Sequence, residues 1–394
     1  MWTEFAPRVW YERTMAATTR PAVAIDVTPL IGLRTGIGSA VAEIIAALGE
    51  LDAAPDVIPY TLSLRARQSP EDVPDGTRFV PLPARVLLKT WARASTPKID
   101  RWIRPARVVH ATNYLSPPSE LPSMVSIYDC SFVRYAELCT PEVRAYVPIV
   151  RRAIARGVTV HTTSQFVANE IEDSFSPGLR AAGRLVVVPL GIPPIGTEAE
   201  MPSEIEARLG GAPYVLAIGT LEPRKNYAHL VSAFAKAASD QPDLRLVIAG
   251  QDGPSRPDVD RAIERLSPDV ASRVVLAGPV SDPARRALLD RAAMLAYPSI
   301  YEGFGFPALE AMTAGVPVVA ARAGAIPEIS GDAALLVEPT DENKLAEAIT
   351  RVLTDSETRH ELVARGRDRV RQFSWQDTAR GLAAVYRRLA ETAS

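Results

Sequence analysis

YEGFGFPALEAMTAGVPVVA, residues 301–320, sets two glycines, a proline and two glutamates ahead of a run that reads as a buried strand. MLAYPS (294–299) before it reads as another strand, IYEGFGF as a glycine-bearing turn, and PALEAMTA as a helix that opens on Pro307 and stops at Gly315. Proline suits the first helical position and glycine the left-handed cap. The turn therefore falls at the carboxyl end of a strand that a helix follows, where open α/β sheets hold ligands. Gly303 and Gly305 allow close backbone approach, and the amides of the first helical turn favour an anion.

Working outward, short β-branched runs alternate with helical patterns in two sets, the mark of parallel sheets built from βαβ units. The first set is VAIDV (23–27), DVIPYTL (56–62), VVHAT (108–112), MVSIYD (124–129), GVTVHTT (157–163) and RLVVVPL (184–190). The second is PYVLAIG (213–219), LRLVIAG (244–250), RVVLAG (273–278), MLAYPS (294–299) and VPVVAA (316–321). GIPPIGTEAEMPSE (191–204), rich in proline and glycine, separates them and reads as the linker, with the boundary near residue 195. The expected organisation is an extension over 1–20, a domain over 21–195, a second over 196–372, and a terminal amphipathic helix over 373–394 free to pack back on the first domain.

At 394 residues the chain exceeds what one core serves, and its 47% apolar and 23% charged content is that of an ordinary globular enzyme. No run approaches the ~18–20 apolar residues of a membrane span. Two cysteines without metal-type spacing, and a start that lacks signal-peptide character, predict a cytoplasmic protein. A net charge of −2 gives no reason to expect nucleic acid. Only five of the 44 basic residues are lysines, so Lys225 inside TLEPRKNYAHL is informative. Arg224 and Lys225 precede a helix for which Asn226 is the expected N-cap. Cations are unfavourable there unless an anion offsets them.

Glu302 and Glu310, eight positions apart, can each accept two hydroxyl hydrogen bonds but repel phosphate. Anion-binding amides between two such carboxylates suit a sugar nucleotide, with diphosphate in the middle and a sugar at each end.

The segments EGFGFPALE, GTLEPRKN, LAYPSIYEGFG and AGVPVVAARAGAIPEI together resemble the retaining GT-B glycosyltransferases of family 4, over about residues 22–372. The resemblance implies an α/β fold of two Rossmann-like domains with parallel sheets facing across a deep cleft. The first would bind acceptor and the second the donor. It further implies that Glu302 contacts the transferred sugar, Glu310 the ribose and Lys225 the diphosphate. Arg224 would join Lys225, and Gly303, Phe304, Gly305 and Phe306 would form the donor-facing turn. LIGLRTGIGSAVAEIIAAL resembles the family's glycine loop, which places Gly36 and Gly38 over the diphosphate with a helix from about Gly38. It lacks the third small residue and later acid of a dinucleotide fingerprint.

Two positions depart from the family. Tyr128, followed by Asp129, stands where relatives often carry a histidine beside the reacting carbon, and Thr220 stands where an arginine is common on the donor side. His110, at a strand end with Asn113 beyond it, is the candidate acceptor contact, a structural role for His110 being the alternative; His161 reads as structural. No metal constellation is visible, so no cofactor is expected beyond the nucleotide-sugar co-substrate, and charge neutralisation falls to Arg224, Lys225 and helix amides. The likeness of GTLEPRKN to mannosyltransferase-like members points to GDP-mannose, with UDP-sugars open, and to a saccharide or glycolipid acceptor. Residues 85–107 carry seven basic residues, one acid, Trp91 and Trp102, a face that can meet anionic lipid at the inner membrane surface or an anionic acceptor. The rival readings are a sugar-nucleotide epimerase of the same fold and a catalytically silent nucleotide-sugar-binding protein.

Overall fold

The structure is a computed structural model that describes residues 20–32, 36–63, 70–81, 84–194 and 199–392. The boundary near 195 and the extension, Arg20 apart, lie outside the described residues, as do three residues of the glycine loop.

Thirteen strands form two wholly parallel sheets. The first holds β1 (Ala22–Asp26), β2 (Asp56–Thr61), β3 (Arg78–Phe79), β4 (Val108–Ala111), β5 (Ser123–Ser126), β6 (Thr159–Thr162) and β7 (Leu185–Val187) in the order β3-β2-β1-β4-β5-β6-β7. The second holds β8 (Tyr214–Ile218), β9 (Arg245–Ala249), β10 (Val274–Gly278), β11 (Met294–Tyr297), β12 (Val318–Ala321) and β13 (Ala334–Val337) in the order β10-β9-β8-β11-β12-β13. The winding is the same in both. It reverses between β1 and β4 and between β8 and β11, and crevices form at such switch points. Central strands such as β4, β8 and β11 are buried at every residue, which accounts for their continuous apolar runs.

Two edge strands escaped the sequence pattern. β3 is two residues long, paired only as Tyr60↔Arg78 and Thr61↔Phe79. β13 is half-buried over Leu335–Val337 and lies in an alanine- and leucine-rich stretch without β-branched enrichment before Val337.

The last helix, Trp375–Glu391, packs against the Gly36–Gly49 helix and β4 of the first domain. Trp375, Ala379, Leu382, Tyr386 and Leu389 form its buried stripe at helical spacing. Trp375 Nε1 donates to Ile192 O at 2.9 Å and Thr378 Oγ1 to Pro189 O at 2.8 Å, fixing where the stripe lands.

Among the described residues, Tyr301, Ser164 and Glu328 tie the two domains by polar contacts. Tyr301 Oη accepts from Cys130 N at 2.7 Å and donates to Glu170 Oε2. Ser164 Oγ donates to Gly303 O at 2.9 Å. Glu328 accepts from the backbone of Gln165 at 2.8 Å and Phe166 at 2.9 Å, so a side chain of the second domain caps the Gln165–Ser174 helix of the first.

Candidate active site

β11 ends at Tyr297, and the chain turns through residues 298–305 into the Phe306–Thr313 helix, with Pro307 second rather than first. The backbone of Glu302 is held from behind by the turn after β12. Ala325 N donates to Glu302 O at 2.8 Å, and Gly324, at φ +59°, lies so close that a Cβ would fall 2.5 Å from Glu302 O. Only glycine combines that dihedral with that contact.

Glu302 is 7% exposed, and its side chain lies between two cations. Oε1 accepts from Lys225 Nζ at 2.6 Å and Oε2 from Arg224 Nη1 at 2.8 Å. Arg224 Nε in turn donates to Glu222 Oε2 at 2.8 Å, so two carboxylates balance two cations. Burial alone would raise the Glu302 carboxyl, but Lys225 and Arg224 outweigh it and hold it at about 2. Burial pulls Lys225 below the usual lysine range against the attraction of Glu302. Broken singly, such a buried pair leaves a charge uncompensated. The Tyr227 hydroxyl is buried without a hydrogen-bond partner among the described residues, and the buried hydroxyls of Tyr297 and Ser299 face Glu302. Burial first, then the charge of Glu302, pushes both tyrosines up, so they remain neutral donors.

The first domain closes on this turn. A Cβ at Gly303 would lie 1.8 Å from Tyr128 O and 2.8 Å from Asp129 Cβ, so the Gly303 position admits no side chain while the domains touch. Asp129 Oδ1 accepts from Ser131 N at 3.0 Å and Ser131 Oγ at 2.7 Å. Tyr128 is 8% exposed, and burial pushes it well above the usual phenol range although the Ser126 hydroxyl opposes the shift. Gly36 begins the Gly36–Gly49 helix, two residues before the expected start, and faces the Phe306 ring across the cleft, with Gly38 buried behind it. Phe304 packs between Phe306 and Phe373. Thr220 lies on the loop after β8, its methyl beside Gly253.

Three expectations need correction, and a fourth residue gains a partner. His110 is fully buried, with both ring nitrogens hydrogen-bonded to Tyr386 and Ser126, so it is a structural residue rather than an acceptor contact. Asn226 takes a left-handed backbone (φ 58°) and makes no side-chain cap; its Nδ2 donates to Pro298 O and, at 3.0 Å, to Pro339 O, tying the Lys225 loop to the end of β11. Glu310, the expected ribose contact, is 3% exposed one turn into its helix and has a partner the sequence did not reveal, Arg285 of the Asp282–Arg291 helix. Burial raises its carboxyl although Arg285 opposes the shift. Trp91 is 1% exposed and part of the core, so it is absent from any lipid-facing surface of residues 85–107.

The site thus joins Glu302, Lys225 and Arg224 from two loops of one sheet to Tyr128, Asp129 and Gly36 from the other, while Asn113 follows β4 and lines a small cavity with Asp26 and Thr28. Among the described residues no group of three potential ligands could hold a metal ion, and no helix is long and apolar enough to cross a membrane.

The family model described as Glycosyl transferases group 1 matches residues 197–369, the whole donor-side half of this constellation. Residues 197–369 thus match the group 1 glycosyltransferases, and the chain as a whole has the GT-B fold. It is similar to the O-antigen chain mannosyltransferase B of Escherichia coli, at 29% identity over 72% of this chain and 74% of that protein. It is also similar to the MMP alpha-(1->4)-mannosyltransferase of Mycolicibacterium hassiacum, at 33% identity over 61% of this chain and 56% of the relative, so that match spans little more than half the relative's length. Among solved structures, the sucrose-phosphate synthase of Thermosynechococcus elongatus shares the fold, with a TM-score of 0.69 at 22% identity over 95% of this chain and 100% of that one. The two parallel-sheet domains are those of the GT-B fold that the resemblance implied.

Proposed function

We propose that this glycosyltransferase moves mannose from GDP-mannose to a hydroxyl of a saccharide or glycolipid acceptor with retention of configuration. The observation that carries the reading is the grip of Lys225 and Arg224 on the two oxygens of Glu302 at the carboxyl ends of β8 and β11. A diphosphate entering beside them can take over both cations, leaving the Glu302 carboxylate to accept hydrogen bonds from the hexose hydroxyls. The mannosyltransferase relatives favour mannose over other hexoses.

Transfer on one face would break the bond from the anomeric carbon to the β-phosphate oxygen while the acceptor oxygen bonds to that carbon. The acceptor proton passes to the departing phosphate. Lys225 and Arg224 stabilise the charge that grows on the phosphate, a role that needs no metal ion in this scheme. Tyr128, kept neutral by burial, can donate a hydrogen bond near the reacting carbon but cannot supply a positive charge.

The test is GDP release from GDP-mannose in the presence of EDTA, with UDP-glucose as competitor and proton NMR of the anomeric signal of the product. GDP release with an axial product supports the reading. Release only from UDP-glucose would overturn the donor, inversion the stereochemistry, and loss with EDTA the metal-independent scheme.

A further inference from the structure

Glu302 stands between two residues that belong, by their contacts, to the other domain. Tyr301, before it, is buried, and its ring packs on those of Tyr135 and Phe166 at centroid distances of 5.1 and 6.0 Å. Its hydroxyl accepts from Cys130 N and donates to Glu170 on the Gln165–Ser174 helix. Gly303, after it, offers its carbonyl to Ser164 Oγ and leaves no room for a side chain against Tyr128 O. Glu302 itself is held from the second domain, by Ala325 N on its carbonyl and by Lys225 and Arg224 on its carboxylate.

Glu170 is buried although it is a carboxylate, whereas Asp173, one turn on, is exposed. Burying a carboxylate is costly unless its oxygens are paired. Oε1 accepts from Arg134 Nε at 3.2 Å, and Arg134 Nη2 also reaches Asp173 at 3.2 Å. Oε2 has Tyr301 as its one partner among the described residues. A hydroxyl on a buried carboxylate makes a short, directional, charge-assisted bond. Tyr301 is therefore seated at a defined point of the first domain, which apolar packing alone would not specify. Tyr301 and Glu302 share a peptide link, so anchoring one side chain fixes the backbone from which the other leaves. Position matters there, because a misplacement of about 1 Å at a reacting centre can cost ~100-fold in rate.

We propose that Glu170 is a positioning residue for transfer: by holding the Tyr301 hydroxyl it fixes the backbone of Glu302, and with it the carboxylate that meets the transferred sugar. The first domain thus aligns the donor hexose through a residue whose own carboxylate is occupied by Tyr301 and Arg134. The inference rests on the reading of Glu302 as the sugar contact.

Hydrogen exchange and GDP release from GDP-mannose without acceptor test it, on the full chain carrying Glu170→Ala, Tyr301→Phe or Asp173→Asn. The Ala325 amide donates to Glu302 O, so its exchange reports whether that backbone is held. In Glu170→Ala and Tyr301→Phe this exchange should quicken about tenfold or more and kcat should fall about tenfold or more, while GDP affinity by calorimetry stays within about threefold of wild type. Asp173→Asn removes only the other acid on Arg134 and should change none of these. The double variant Glu170→Ala with Tyr301→Phe should be no slower than the slower single one, because both break one contact. If circular dichroism shows that Glu170→Ala does not fold, Tyr301→Phe, which keeps the ring packing, decides. Wild-type exchange at Ala325 in the folded variants overturns the positioning role. So does quickened exchange with unchanged kcat, or a loss of GDP affinity that matches the loss of kcat. The donor reading is judged separately. Wild-type turnover in Glu302→Gln sinks the sugar contact whatever Glu170 does; no GDP release from the wild type sinks the donor, and Ala325 exchange still decides whether Glu170 fixes the turn.

Discussion

The hydroxyl of Tyr386 lies 2.7 Å from Nδ1 of His110 and joins the last helix to the interior of the first domain. The direction of this bond follows from the far end of a chain of four. His161 Nε2 lies 3.0 Å from Val188 O, which can only accept, so that nitrogen carries the hydrogen. His161 Nδ1 then accepts from Ser126 Oγ at 2.8 Å, and Ser126 Oγ accepts from His110 Nε2 at 2.8 Å. His110 Nδ1 is left to accept from Tyr386. Both rings are neutral: burial, then His161, takes His110 well below the usual range, and burial takes His161 to about 4.

Tyr386→Phe keeps the packing and removes the donor, leaving a buried nitrogen unsatisfied at a cost of about 1–3 kcal/mol. The urea midpoint of the first domain should fall accordingly. An unchanged midpoint would show that the last helix is held by its apolar stripe alone.

Acid should expose two opposed titrations. Between pH 6.5 and about 4 the unfolded chain protonates His161 and the folded one does not, so stability falls as pH drops through that window, by about 3 kcal/mol at the limit. Asp26 works in the other direction: its raised pKa of about 6 means that the folded state takes up the proton first, and stability is gained as pH drops from about 6 to 3.8, by a similar ~3 kcal/mol. Asp26 thus opposes His161, while His110, also kept neutral by burial, adds to the loss of stability in acid. Asp26→Asn should therefore be more stable than wild type at pH 7.5 and lose that advantage steeply by pH 4.5, measured as urea midpoints at pH 7.5, 5.5 and 4.5. Parallel pH profiles would remove Asp26 as the compensating group.

These pairings mark the limit of what the sequence could show. Period and turn residues located most strands, the glycine turn and the loop cations, because those signals lie within a dozen residues of each other. Which elements meet is another matter. Arg224 and Lys225 were read as phosphate ligands from their place before a helix, yet their observed partner is 77–78 residues away. Glu310 appeared free because Arg285 comes from a helix 25 residues earlier. His110 looked like a cleft residue because it ends a strand, and only Tyr386, 276 residues on, shows it to be interior.

Glu328→Ala should loosen the join between domains. Its carboxylate accepts from two amides of the Gln165–Ser174 helix, while Ser164 Oγ takes a third, that of Val167, at 3.2 Å. Loss of a cap of this type costs about 0.5–2 kcal/mol. Hydrogen exchange at Gln165 and Phe166 should quicken while β8 is unaffected, and the radius of gyration in solution should rise. Unaltered exchange at those two amides would mean that the Glu328 contact is not maintained in solution.

Glu302→Gln separates a carboxylate that holds the transferred sugar from one that merely holds the loop. The amide keeps one oxygen, which can stay on Lys225, but turns its nitrogen toward Arg224, placing donor against donor. Turnover should fall by roughly 100-fold or more, about 2.7 kcal/mol at the barrier. The nucleoside diphosphate lacks the hexose and competes with Glu302 for the same two cations, so neutralising Glu302 should leave GDP affinity equal to wild type or higher, the opposite of what simple misfolding gives. Calorimetry with GDP and a turnover assay on one preparation decide between the two roles. If affinity and turnover collapse together, Glu302 acts by holding Lys225 and Arg224 in place; if turnover alone is lost, its carboxylate is the contact to the sugar.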